Sequence, residues 1–455
     1  MTFISQASGY LFLAIFGAVM IFITYFFTKG KTNKTKEGFL VADRKIGWFS
    51  GGASIAASWI WAPALFISVQ VAFEKGLAGV FWFTVPNVFA LAMFAILAPK
   101  IRERFPKGFT LPQYIRKRFG SERLHTMYLV PYFFYQLMAI TVQLFAGGSL
   151  LMLLTGIPLI IGMPILAGIA LLYTLISGLK ASIITDVVQI ALIFGIGAII
   201  LPMTWSASGF VIPKISQNLF DPGIAFSFGI VTAIGLVAGA LSDQQYWQRA
   251  FAIKKKDLRK AFVFGALLFA VVPIALSTLG FIATQYGIVL PEGVDASMIG
   301  VQTIALFLPK WAVYLFVVML LAGLSSTLDS GLSAASSLWV TDVQRGSVRN
   351  ARIAMVGITA LGLFTGYAVT WIPGFGLQHL WWIFNTIAAC VMVPTLLSLY
   401  RNKVGEKGVF LGIAIAFLFG IPLFVASNVI GSAVWIVGST LFIVVVSTGF
   451  SLFLR

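Results

Sequence analysis

Apolar residues fall in long runs separated by short polar connections, and thirteen of these runs are long enough to cross a bilayer as a helix. They cover roughly 9–28, 47–73, 77–98, 125–154, 158–178, 182–203, 223–248, 260–286, 302–340, 350–371, 375–399, 409–427 and 431–453. The ninth has room for a short helix or loop before its crossing. The pattern predicts an all-α polytopic membrane protein. The connections are too short to hold a soluble catalytic domain. The first run lacks a basic region before it, and Lys29, Lys31, Lys34 and Lys36 follow it, so it is expected to be a crossing and not a secretory leader.

Composition agrees with this reading. Apolar residues make up 59% of the 455 positions and charged residues only 10%, where a soluble domain carries about 25% charge. The charges are lopsided, 31 Lys and Arg against 14 Asp and Glu. Counted by connection, 28 of the 31 bases fall on one side, mostly in 29–45, 100–123 and 249–260. Lys75, Lys214 and Lys310 fall on the other. The positive-inside rule then places the N-terminus outside and the C-terminus in the cytoplasm, with a multi-pass location in the plasma (inner) membrane. Runs such as Lys254–Lys256 are expected to meet anionic lipid at the cytoplasmic face, and no nucleic-acid partner is needed to explain them. A single cysteine, Cys390, and two histidines exclude a disulfide framework and a Cys-based zinc site.

Eleven of the acids sit in connections, seven on the basic side and four opposite. Asp186, Asp243 and Asp329 instead lie within spans six, seven and nine. Each costs about 2.5–3.5 kcal/mol at a helix centre, so each is a functional candidate; the plainer alternatives are a helix cap or a pair with a nearby Arg. On span nine, Gly323, Ser326, Asp329 and Ser330 share one helical face. That small, oxygen-rich face suits a hard cation, and helix packing through small residues is the alternative. In span two, Pro63 follows Ala57-Ser58-Trp59-Ile60-Trp61-Ala62. Proline removes a backbone donor and frees carbonyls one turn back. Span seven is weakened by Gly229, Gly235 and Gly239 before Asp243. Two interrupted helices in corresponding halves point to a transporter site, the halves here being spans two to six and seven to eleven.

Three motifs together resemble the sodium:solute symporter family: Gly178–Gln189 opening span six, Asp243-Gln244 through Gln248-Arg249 closing span seven, and Ser326-Thr327-Leu328-Asp329-Ser330 through Asp342 on span nine. The resemblance implies a five-plus-five inverted-repeat core of the leucine-transporter type. Residues 1–45 would be an extra helix and loop, 46–203 and 222–399 the two repeats, and 408–455 two peripheral helices. It implies sodium as coupling ion, held by Ala57, Ile60, Gly323, Ser326 and Thr327, and no organic cofactor. Asp186, Asp329 and Ser330, with Ser326, would form a second cation or proton site; Asp329 stands where two-sodium members carry a hydroxyl. Asp243, Gln244 and Arg249 would act as gating groups.

The start of span two and the Ser-Thr-Leu-Asp-Ser run look most like the family's urea-transporting branch. The expected activity is sodium-coupled symport of a small polar solute by alternating access, urea first, then an amino acid such as proline or a small carboxylate. Trp59, Trp61, Gln70, Gln136, Gln143, Asn385 and Thr386 are the expected cavity-lining groups, since aromatic faces and a few amides suit such a solute. A monomeric functional unit is expected. The alternatives are a passive channel or facilitator and a membrane sensor module. The three intramembrane acids lie on three helices with no nucleophile constellation, so an enzyme is not expected.

Overall fold

The computed structural model describes residues 3–28, 35–210, 218–344, 346–372 and 375–454. Lys29, Lys31, Lys34, Lys214, Arg345 and Arg455, counted above for orientation, lie outside these residues. The described chain is helical, and its β contact is one parallel bridge between Ile46 and Ile253.

Twelve helices among the described residues are long and apolar enough to cross a membrane, one fewer than expected. The difference lies in span two. Its first half is α2 (Trp48–Trp59), too short to span alone. Its second half runs through a π turn at Pro63–Ile67 into α3 (Ser68–Arg104), which also contains the whole of span three. Within α3 the helix is broken at Gly76, whose φ of 61° suits glycine and strains other residues.

The remaining elements of the site follow in order. A short helix α4 (Leu111–Phe119) is capped by Thr110, whose hydroxyl accepts from the Gln113 N–H, and leads into α5 (Glu122–Thr155). Next come α6 (Leu159–Ser177) and α7 (Leu179–Ser208). Span seven is α8 (Ile230–Ser242), which stops at Asp243 and restarts as α9 (Gln244–Ala252). Span seven is thus irregular at two places, a π turn at Ala225–Gly229 that ends on one of the expected glycines and the break at Asp243, while Gly235 and Gly239 are ordinary helical positions in α8. Asp243 is extended (φ −81°, ψ 109°), and its carboxylate accepts from the Gln245 N–H, the usual N-cap arrangement.

Span eight is α10 (Leu258–Gln285). The ninth run divides, as its length suggested, into a short helix Ile299–Phe307 and α11 (Lys310–Leu338). Then come α12 (Val348–Thr370) and α13 (Leu377–Tyr400), on which Cys390 is completely buried. The last two crossings are Glu406–Ile430 and Ala433–Phe453.

Of the candidate crossings, α5 and the helix containing α11 are the most enclosed, and α12 and the first helix are among the least. Helix α11 packs on α7 and α5, α8 on α13, and α10 on α2 and α3. The two broken helices thus lie in the interior, beside the most buried crossings. Irregular backbone at membrane depth is tolerated only in such surroundings.

Candidate functional site

Two buried polar centres adjoin the break in span two. The first begins with backbone. Pro63 offers no N–H to the carbonyl one turn back, and the Ala62 N–H is taken by Gln143 Oε1 at 2.9 Å. The Ser58 carbonyl is thereby released from its helical partner and accepts from the Thr327 hydroxyl at 3.3 Å. Gly323 faces the same break: a Cβ there would lie 3.1 Å from the Ile60 carbonyl oxygen and closer still to Leu65. So α11 presents Gly323 and Thr327 directly to the loosened carbonyls of span two. Ser326, beside Thr327 on α11, donates its hydroxyl to Asp186 Oδ1 at 2.5 Å. Carbonyl and hydroxyl oxygens of this kind are what a hard monovalent cation takes as ligands, so the residues fit sodium in kind.

Deeper in the same centre lie Asp186 and Asp329, both completely buried. Asp186 Oδ2 accepts from Ser54 at 2.5 Å and from Arg249 Nη2 at 3.1 Å. Arg249 is itself fully buried, and its guanidinium also donates to Ser54 Oγ (2.9 Å), Ser330 Oγ (2.7 Å) and the Gln245 carbonyl (3.2 Å). Asp329 accepts from Ser182 (2.6 Å) and Thr185 (3.1 Å), with Ser330 Oγ at 3.3 Å. Arg249, expected beside Asp243 as a gating group, is therefore the counter-charge of Asp186, 63 residues away in sequence.

The second centre is aromatic. Trp59 and Trp61 stack at 5.3 Å, Tyr246 meets Trp59 edge-on at 5.1 Å, and Phe384 joins Trp61 (5.3 Å) to Tyr135 (5.0 Å). Around these rings, buried polar atoms have no hydrogen-bond partner within the protein: Trp61 Nε1, Gln143 Nε2, Gln136 Oε1, Asn385 Oδ1 and the hydroxyls of Tyr135 and Tyr246. Gly239 leaves space here, since a Cβ on it would overlap Asn385 Oδ1 and sit 2.9 Å from the Tyr135 hydroxyl. Each orphaned group costs about 1–3 kcal/mol when buried, so these atoms are ones that a bound polar molecule or water could satisfy.

Of the expected cavity-lining groups, Trp61, Gln136, Gln143 and Asn385 contribute these atoms. Trp59 lends its ring, its N–H being given to Asn87 at 2.7 Å. Thr386 donates to the Trp382 carbonyl of its own helix. Gln70 lies elsewhere, bonded to Glu74 and Gln378 and lining a cavity of about 470 Å³ with Asp295 and His379. Gln136 also donates to Asp243 Oδ1 at 3.0 Å, which ties the aromatic centre to the break in span seven. Gln244 bonds the Phe109 carbonyl and Ser337.

Sequence reasoning missed Ser54, Ser182 and Thr185 in the cation centre and Tyr135, Tyr246 and Phe384 in the aromatic one. Ser54 was findable, since it precedes Ser58 by one helical turn, and Ser182 and Thr185 lie inside the motif that ends at Gln189. The aromatic residues carried no signal that set them apart from ordinary packing.

The sodium:solute symporter family model matches residues 39–416. The urea-proton symporter DUR3 of Oryza sativa subsp. japonica is 22% identical over 95% of this chain and 66% of its own. The urea active transporter of Saccharomyces cerevisiae is 23% identical over 87% of this chain and 60% of its own. The chain therefore spans somewhat less than two thirds of these urea transporters. A sodium/glucose cotransporter of Vibrio parahaemolyticus is 24% identical over 90% and 84%. Among solved structures, a Na+-coupled sialic acid symporter in a substrate-bound outward-open state superposes with a TM-score of 0.77 at 16% identity, over 97% of each chain. A nucleobase-cation-symport-1 family transporter in a closed conformation gives 0.58 at 14%, over 92% and 94%. The proteins matched are transporters, not enzymes. On the span of the family match, which takes in both helix breaks and both polar centres, this chain belongs to the sodium:solute symporter family.

Proposed function

We propose that the chain is a secondary active transporter coupling inward movement of sodium to uptake of a small polar solute, with urea favoured over proline-like amino acids and small carboxylates. One observation carries the reading: the carbonyls loosened at the break in span two meet Gly323 and Thr327 of α11. Sodium bound by Ala57, Ile60, Gly323, Ser326 and Thr327 would tie the two halves of the molecule together, and so organise the aromatic centre one turn away. Residues 46–203 and 222–399 would be the inverted repeats that rock about this point. The chain would lie in the plasma (inner) membrane with its basic connections on the cytoplasmic side against anionic lipid, and would work as a monomer. Asp243 and Gln244 would help to gate release.

Urea is favoured by chemistry as well as by the names of the relatives. It is flat and presents one carbonyl acceptor and four N–H donors. The aromatic centre offers orphaned donors at Trp61 and Gln143 and orphaned acceptors at Gln136 and Asn385, with two hydroxyls able to serve as either. The driving force suffices. One charge crossing about 100 mV releases about 2.3 kcal/mol, and a tenfold sodium gradient adds about 1.4 kcal/mol. Together these support roughly 500-fold accumulation of a neutral solute.

The test is a thermal-shift screen of candidate solutes with and without sodium, followed by uptake into proteoliposomes. A solute that stabilises the protein only with sodium, and whose uptake follows the sodium gradient, is the expected result. Uptake that ignores the gradient would identify a facilitator instead.

A further inference from the structure

We propose that the cavity lined by Gln70, Asp295 and His379 is a second, outer binding site for a small neutral solute that carries N–H donors, occupied before the solute reaches the aromatic centre. This rests on the transport reading above. The cavity has a volume of about 470 Å³, within the range of small-molecule sites. Three helices run from one place to the other. Trp61 and Gln70 are nine residues apart on span two, Gln143 and Ser149 six on α5, and Asn385 and Gln378 seven on α13. At 1.5 Å per residue, each puts the cavity about 9–14 Å from the aromatic centre. On α5 and α13 this is the end away from Arg123 and Arg401, which is the exterior on the orientation proposed above.

The polar groups there have a fixed sense. Gln70 is only 6% exposed. Its Nε2 donates to Glu74 Oε1 at 2.7 Å and to Gln378 Oε1 at 3.2 Å, so both of its N–H groups are committed. Its Oε1 has no partner in the protein. A buried amide oxygen left open costs about 1–3 kcal/mol, and only a donor can satisfy it. Asp295 accepts one backbone N–H on each oxygen, from Ser297 at 2.9 Å and Leu377 at 3.0 Å, and each oxygen keeps a further lone pair. His379 Nδ1 accepts from the Gly376 N–H at 3.2 Å, which places the ring proton on Nε2 as a donor. Its ring stacks on Phe375 at 5.3 Å.

The ligand class follows from this set. Acceptors at Gln70 and Asp295, a donor at His379 and ring faces at Phe145 and Phe375 match a planar amide or urea. Among the described residues lining the cavity, Asp295 is the one side chain of the Asp, Glu, Lys and Arg types. A carboxylate would meet repulsion there with no Lys or Arg to offset it. The aromatic centre has the same mixture of ring faces and amides, so a solute suited to one suits the other.

Equilibrium binding of radiolabelled urea to the purified full chain in lipid nanodiscs, with sodium present, tests this. Two urea molecules per chain are expected. Gly239→Ala, whose methyl enters the aromatic centre, should keep one, Gln70→Leu should keep one, and the two together none. Thr370→Trp covers the cavity from an exposed position, and should repeat the loss if Gln70→Leu does not fold. One urea in the wild type that vanishes in Gly239→Ala would overturn the outer site and leave the symport reading standing. One urea that survives Gly239→Ala and vanishes in Gln70→Leu would keep the outer site and sink the assignment of the aromatic centre. Urea retained in the double variant, or none bound by the wild type, would also overturn the proposal, and sodium-driven uptake of another solute would then still support symport.

Discussion

Ser58 and Trp61 stand three residues apart at the break in span two, yet they belong to centres built in opposite ways. Around Ser58 the side chains are saturated: both oxygens of Asp186 and both of Asp329 accept hydrogen bonds, and Arg249 makes four. Around Trp61 six polar atoms have no partner in the protein. A saturated network exchanges one set of bonds for another when an ion arrives, so its occupancy is sensitive to charge. An unsatisfied set gains bonds it did not have, so its occupancy is sensitive to the shape and pattern of the ligand. On the proposed function, coupling would amount to the first centre setting the geometry of the second through a shared stretch of broken helix.

That contrast can be broken experimentally. The largest effect is expected from Arg249→Ala, which strands Asp186 as an uncompensated buried charge at a cost of about 3–5 kcal/mol. The folded protein should be lost or its unfolding midpoint sharply lowered, and Asp186→Asn in the same chain should restore much of it. Ser326→Ala and Thr327→Ala should each weaken sodium binding by about tenfold or more, about 1.4 kcal/mol, with solute binding reduced only through sodium. Unchanged sodium affinity in both would remove the site assignment. Gly239→Ala should leave sodium binding intact and abolish solute binding, because its methyl enters the space shared by Asn385 and Tyr135. Trp61→Phe removes one orphaned donor, so the protein should be no less stable, while solute affinity falls by about 2- to 13-fold for one lost hydrogen bond of about 0.5–1.5 kcal/mol. Thr386→Val, whose hydroxyl serves its own helix, should change solute affinity least, within about 0.5 kcal/mol.

The fold was legible because hydrocarbon imposes long apolar runs, and these survive in the structure with small shifts at their ends. Span two was legible through Pro63, which must disturb a helix wherever it stands inside one. Span seven was misread in detail. Of the three glycines that looked like the weak point, Gly229 ends a π turn but Gly235 and Gly239 stay helical, and the chain leaves the helix at Asp243, whose carboxylate competes for the backbone N–H of Gln245. The pairing of Asp186 with Arg249 was out of reach, since it depends on how α7 and α9 pack and no local pattern encodes that. Gln70 shows the converse limit: it follows Trp61 by nine residues along one span, and helical rise carries it away from the aromatic centre to a different cavity.

Cys390 lies on α13, five residues past Asn385, completely buried, and it is the one thiol in the sequence. The unaltered protein is thus already a single-cysteine background. A small alkylating reagent can reach that sulfur only when the helices around it part, so the rate of labelling under native conditions measures how often they do. Comparing that rate with sodium, with solute and with both would turn one buried side chain into a clock for the transport cycle.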